Sequence, residues 1–277
     1  MKTGLLLFMV IFLGSFSCPL WAEPGNVPSG PAGAREALNA FRGETLSYDI
    51  AFLWFERLAV AEFSLTKTDE PNRYRAVLEA RTLGIASWLT GNRRQRYVSY
   101  LRLADDGSLR PESYDADMYR TKGGTVTSRL KNWVYDYPRR QIIEKVTRNG
   151  RESPVKRYSM GEGAYPYDIL GAFYNFRAGL FGPVQGGASY QIPSFARGGS
   201  TDIAIAVLPE NRRPKDTPLP ASGLVVKVVL DPEVFDTGDG TLYIWFDGDM
   251  RPGKVIVKDV VGLGDVRATL RSHEEVK

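Results

Sequence analysis

The sequence predicts a mainly β fold, a single curved antiparallel sheet or incomplete barrel with one central amphipathic helix. Three observations carry this. Apolar and polar residues alternate with a period of two from residue 45 almost to the C-terminus, turn residues interrupt the runs at short intervals, and one stretch near residue 170 switches to helical spacing. Consecutive amphipathic runs with short links pair antiparallel, because parallel neighbours need long crossovers. About a dozen strands in one twisted sheet tend to curl or close.

In chain order, residues 1–22 read as a signal peptide. Lys2 supplies the positive start, residues 5–13 are apolar, and small and polar residues lead to Ala22, after which cleavage is expected. The apolar run is shorter than the roughly 20 residues of a membrane span. Cys18 offers a second reading, as a lipid-modified cysteine that would anchor the chain to a membrane. Residues 23–42 form a Pro- and Gly-rich flexible leader, with a short helix expected over 35–42 that sets Leu38 and Phe41 on one side. A single β-rich domain spans 43–272, and 273–277 form a tail.

Leu46, Tyr48, Ile50, Phe52 and Trp54 share one face of the first strand, alternating with Ser47, Asp49 and Ala51. Ala59, Ala61, Phe63 and Leu65 repeat the pattern, as do Tyr74, Ala76, Leu78 and Ala80. Strands follow over 95–103, 112–119, 125–137 and 141–147, with turns at Asp105-Asp106-Gly107, Gly123-Gly124 and Asn149-Gly150. Over 166–181 the period changes. Asp168 caps a helix in which Ile169, Leu170, Phe173, Tyr174, Phe176 and Leu180 fall mostly three and four apart. Strands resume over 189–193, 202–208, 223–230, 241–246, 254–260 and 265–270, and 209–220 is a proline-rich loop.

Composition narrows the chemistry. Cys18 is the sole cysteine and leaves with the signal peptide, so a disulfide, a thiolate nucleophile and a cysteine metal site are not expected. His273 is the sole histidine, near the end of the chain, which argues against Ser-His-Asp hydrolysis and histidine-bound metals. No metal or other cofactor is expected. A net charge of +4 is mild for 277 residues. The arginines at Arg93-Arg94-Arg96 and Arg212-Arg213 read as solvated strand faces and loops, not as a nucleic-acid site, though a weak attraction to anionic lipid headgroups fits them.

Asp236-Thr237-Gly238-Asp239-Gly240 and Asp247-Gly248-Asp249-Met250 invite a calcium reading, but the EF-hand spacing is absent and both stand where hairpin turns belong. Glu44, Glu56, Glu62, Asp115, Asp117 and Asp168 are the carboxylates available for glycoside chemistry, and no spacing pairs any two. No catalytic residue is assigned. Tyr48, Phe52, Trp54, Phe63 and Tyr74 form an aromatic inner face across three neighbouring strands, either an ordinary core or the lining of a ligand cavity.

The order of motifs has a further meaning. Gly43-Glu44-Thr45-Leu46-Ser47-Tyr48-Asp49-Ile50, the run YRAVLEARTLG over 74–84, Asp106-Gly107 with Leu109 and Pro111, Asp168-Ile169-Leu170-Gly171-Ala172-Phe173-Tyr174 with Arg177, and Leu242-Tyr243-Ile244-Trp245-Phe246 before Arg251-Pro252 follow one another over roughly 43–270. In these the chain resembles the bacterial exported family labelled domain of unknown function 3108. The resemblance implies a secreted or periplasmic protein with a curved antiparallel sheet, and it implies no activity. The expected role is a non-enzymatic envelope protein that binds or carries an apolar or lipid-like ligand, lined by the five aromatics and closed or gated at one end by the helix. The alternatives are an interaction or scaffold protein in envelope assembly, partnered by another envelope protein, and, less favoured, a carboxylate-dependent enzyme acting on glycans.

Overall fold

A computed structural model of the chain describes residues 31–52, 55–84, 86–87, 91–196 and 199–275; the expected signal peptide over 1–22, with Cys18, and Trp54 lie outside these. A helix, α1 (Pro31–Ala40), precedes β1 (Glu44–Phe52), β2 (Phe55–Lys67), β3 (Arg73–Thr82), β4 (Arg94–Leu103), β5 (Leu109–Lys122), β6 (Thr125–Asp136), β7 (Gln141–Arg148), β8 (Arg151–Glu152) and β9 (Lys156–Ser159). Then come α2 (Ile169–Arg177), β10 (Ser189–Ala196), β11 (Gly199–Leu208), β12 (Leu224–Val229), β13 (Thr241–Phe246), β14 (Pro252–Val260) and β15 (Gly264–Glu275).

Among the described residues, all 15 strands join one antiparallel sheet, ordered β10 through β15, then β1 through β8, with β9 beside β7. The hairpins form where turn chemistry demands. Gly123-Gly124 and Asn149-Gly150 each hold two residues at positive φ, the type I′ geometry whose twist matches the flanking strands. The long-range step is β15 against β1, pairing Ile50 with Ala268 and Leu46 with His273. It inserts the C-terminal strand beside the first and merges two meanders into one sheet.

The sheet curls but stays open. Its end strands approach through the rings of Tyr158 and Phe195, 4.8 Å apart between centroids, and Tyr167 bridges to Ser194 of β10. Pro193 lies on β10, where a missing N–H is tolerated because that side of the strand is an edge.

Two boundaries differ from the sequence pattern. β15 runs to Glu275, so His273 is a paired strand residue and not part of a tail. The alternation fades there because both faces carry polar groups. Likewise α1 begins at Pro31, inside the stretch expected to be flexible, and docks Leu38 and Phe41 into the core. The core divides around α2. One cluster holds Leu65, Tyr74, Leu101, Tyr114, Trp133 and Tyr174, and the other holds Phe176, Ile192, Val207, Val226, Leu242 and Phe246. The loop over 209–220 is tied to the outer face by Lys254 Nζ, which donates to Pro218 O at 3.0 Å.

Candidate functional site

Between the concave sheet and α2 lies a cavity of about 360 Å³, within the range of small-molecule sites. Its wall is a direct product of the period of two. Tyr48 and Ile50 enter it from β1, Ala59, Ala61 and Phe63 from β2, Leu78 and Ala80 from β3, and Tyr97 from β4. Ile203 and Ile205, Val226 and Val228, Leu242 and Ile244, Val255 and Val257, and Val266 and Ala268 complete it from β11 to β15. Each pair is spaced i, i+2, so one face of nine strands lines one space.

The helix forms the remaining wall. Asp168 caps it, its Oδ1 accepting from Leu170 N at 2.9 Å and Gly171 N at 2.8 Å, while Ser99 Oγ donates to Oδ2 at 2.5 Å. Glycine at 171 permits close packing, since a Cβ there would stand 3.2 Å from Leu101 Cδ2. Asn175 acts as a surrogate strand, accepting from Leu109 N at 2.8 Å and donating to Leu109 O at 2.9 Å. Arg177 is 0% exposed, paired in two-pronged fashion with Glu44 at 2.5 and 2.9 Å, and its Nε donates to Met250 O at 2.8 Å. The Phe41 ring covers the guanidinium at 4.0 Å.

Through these anchors α2 is tied to β1, β4, β5 and the β13–β14 turn. Of the two roles expected of it, closing or gating one end of the cavity, these anchors favour closing. Displacing it would strand a buried guanidinium and a buried carboxylate. It is a fixed wall. Its amphipathic stripe exists but does not meet bulk water: Ile169 and Phe173, the two incompletely buried positions of the helix, both face the cavity.

The lining carries few polar groups, and the hydroxyls of its two tyrosines are committed. Tyr48 Oη donates to Pro252 O at 2.7 Å and Tyr97 Oη to Val234 O at 3.2 Å. Burial raises both phenols, Tyr97 to about 12, so neither ionises near neutral pH. Gln95 Nε2 lies 3.5 Å from Met118 Sδ. Charge enters at one end, where Arg81 is exposed and Arg93 pairs with Asp236 at 2.6 Å.

Of the five aromatics singled out in the sequence, Tyr48 and Phe63 line the cavity. Tyr74 is buried instead in the neighbouring core cluster, and Phe52 sits at the end of β1 against Phe55, rings 6.0 Å apart. The wall from β11 to β15 escaped sequence reasoning, because the β1–β15 pairing joins the two ends of the chain. A usable signal was present. Ala59, Ala61, Ala80 and Ala268 stand at inward positions, and a run of alanines on a concave face leaves space where larger residues would fill it.

The carboxylates considered for catalysis are not brought together. Glu44 is held by Arg177 and Asp168 by the helix cap. Burial raises the Asp168 carboxyl to about 6 against the lowering effect of its hydrogen bonds. Asp115, bonded to Asn132, and Asp117 stand on the face of β5 opposite Tyr114 and Ala116. Partial burial, then the charge of Asp115, raises Asp117. Glu56 and Glu62 are exposed. The aspartates at 239 and 247 serve turns, accepting from Thr241 N and from Asp249 N and Arg251 N at 2.9 Å. Among the described residues, no group of three His, Cys, Asp or Glu side chains is placed to hold a metal ion, and no helix is long and apolar enough to cross a membrane.

Comparison with known proteins gives a family and assigns no activity. No curated protein matches the chain. A crystal structure described as a beta-barrel-like protein of domain of unknown function DUF1849 from Brucella abortus superposes with a TM-score of 0.48 at 9% identity, over 84% of this chain and 97% of that one. The family model described as protein of unknown function (DUF3108) matches residues 47–271, from β1 to near the end of β15, and the chain belongs to that family.

Proposed function

We propose that this protein is an exported, non-enzymatic carrier or binder of an apolar, lipid-like ligand held between the curved sheet and α2. The observation that carries the reading is the cavity itself, about 360 Å³ of space walled by apolar side chains from nine strands and a helix. If each methylene occupies the ~30 Å³ share of a liquid water, the space takes about twelve carbons of an alkyl chain. At about 0.8 kcal/mol per buried methylene, the gross gain is about 10 kcal/mol, against several kcal/mol of lost freedom. Binding is then modest and reversible, as transfer requires. The sequence of residues 1–22 supports export to the periplasm, with Cys18 as an alternative anchor.

Scaffolding by strand addition has weaker support, because the β10 edge carries Pro193 and is bridged by Tyr167. A glycan-cleaving role lacks a carboxylate in the cavity wall among the described residues. The test is native mass spectrometry of gently purified protein beside the Ala61→Phe variant, whose ring would occupy the space. Wild type should carry an apolar adduct that the folded variant lacks. A wild type that stays empty after incubation with fatty acids or alkyl alcohols rejects the carrier.

A further inference from the structure

The apolar wall does not end at the cavity. Along the inner face of the sheet, one cross-strand row runs Tyr48, Ala61, Ala80, Gln95, Met118, Arg129, Arg148. Its first four members line the cavity. Its last three line an adjoining groove of about 540 Å³, which also contains Arg93, Arg120 and Asp236. Arg93 belongs to both linings. One sheet face therefore passes from apolar to basic without a break.

The basic part is unusual in its charge balance. Four arginines meet one carboxylate, Asp236, and that carboxylate already pairs with Arg93 at 2.6 Å. Arg120, Arg129 and Arg148 have no carboxylate partner among the described residues, and the Arg129 Nε is buried without an acceptor. Moreover Arg129 and Arg148 are directly paired across β6 and β7. Like charges placed opposite each other on a sheet are destabilising, and an anion between them converts repulsion into two charge-assisted contacts.

Resting on the carrier reading above, we infer that the ligand is an anionic amphiphile, its tail in the cavity and its phosphate or carboxylate head in the groove of Arg120, Arg129 and Arg148. Planar guanidinium forks suit both headgroups. The row geometry makes the two sites one, since head and tail lie along neighbouring strands of a single face.

Calorimetric titration of the full chain with decyl phosphate, decanol and inorganic phosphate tests this. Decyl phosphate should bind about tenfold or more tightly than decanol, as expected for charge-assisted contacts, and far more tightly than inorganic phosphate. In the double variant Arg129→Gln, Arg148→Gln that advantage should fall to about twofold or less while decanol affinity holds, which also shows that the variant is folded. Equal affinity for decyl phosphate and decanol in the wild type overturns the headgroup inference and leaves the carrier intact. Binding of neither removes the carrier as well. Inorganic phosphate binding as tightly as decyl phosphate marks a free-anion site and overturns the amphiphile, as does a double variant that loses decanol and decyl phosphate equally.

Discussion

Asp168 and the Glu44–Arg177 pair are buried charges, and burial makes their consequences measurable. The Asp168 carboxyl ordinarily titrates near 3.8 and in the fold near about 6. Between those values the native state keeps a proton that the unfolded chain has released. Stability therefore falls as pH rises through this window and stays reduced above it, by on the order of 3 kcal/mol. Urea denaturation at about pH 4.5 and pH 7.5 should show wild type gaining on Asp168→Asn at the lower pH; a constant difference between them would contradict the buried carboxyl. For the ion pair, Glu44→Leu leaves Arg177 uncompensated and should cost about 3–5 kcal/mol, whereas Glu44→Leu with Arg177→Met should recover most of it. If the double variant is as unstable as the single one, the unpaired charge is not the cause.

At the scale of elements, α2 illustrates how a nine-residue helix, too short to persist alone, becomes a rigid wall. Its cap, its surrogate strand at Asn175 and its terminal arginine each satisfy groups on a different strand. Asn175→Leu would keep the volume but leave the Leu109 N–H and C=O buried without partners. The expected loss is about 2–4 kcal/mol, read as a lowered thermal midpoint. A melt within a degree of wild type would show that the anchor carries little. The helix was legible from Asp168 and the apolar spacing after it, while its burial on every side was not. Periodicity reports which face is apolar and does not report what stands opposite.

For the molecule as a whole, the hollow is the feature that distinguishes this sheet from an ordinary packed core. Voids in protein interiors are normally small, because lost contacts are costly. Filling this one should not strain the fold in the way that overpacking a full core does. Ala61→Phe is expected to match or exceed the ligand-free stability of wild type, within about 1 kcal/mol, while lacking the rise in thermal midpoint that decyl phosphate should give the wild type. A variant that retains the full ligand-induced shift would place the ligand elsewhere.

Alternation along the chain determined that this protein builds an antiparallel sheet, where its hairpins turn, and that Tyr48 and Phe63 face inward, because strand geometry sends every second side chain to the same side. The family resemblance was equally legible in the order of short motifs. Tertiary structure alone decided that β15 lies beside β1, that Tyr74 joins the core while Ile203, Val226 and Leu242 wall the cavity, and that Arg129 and Arg148 end a row beginning at Tyr48. The reason is physical. Face is a local property of two consecutive dihedral pairs, whereas neighbourhood depends on which distant strands pair and how far the sheet curls, and neither leaves a mark on any single stretch of sequence.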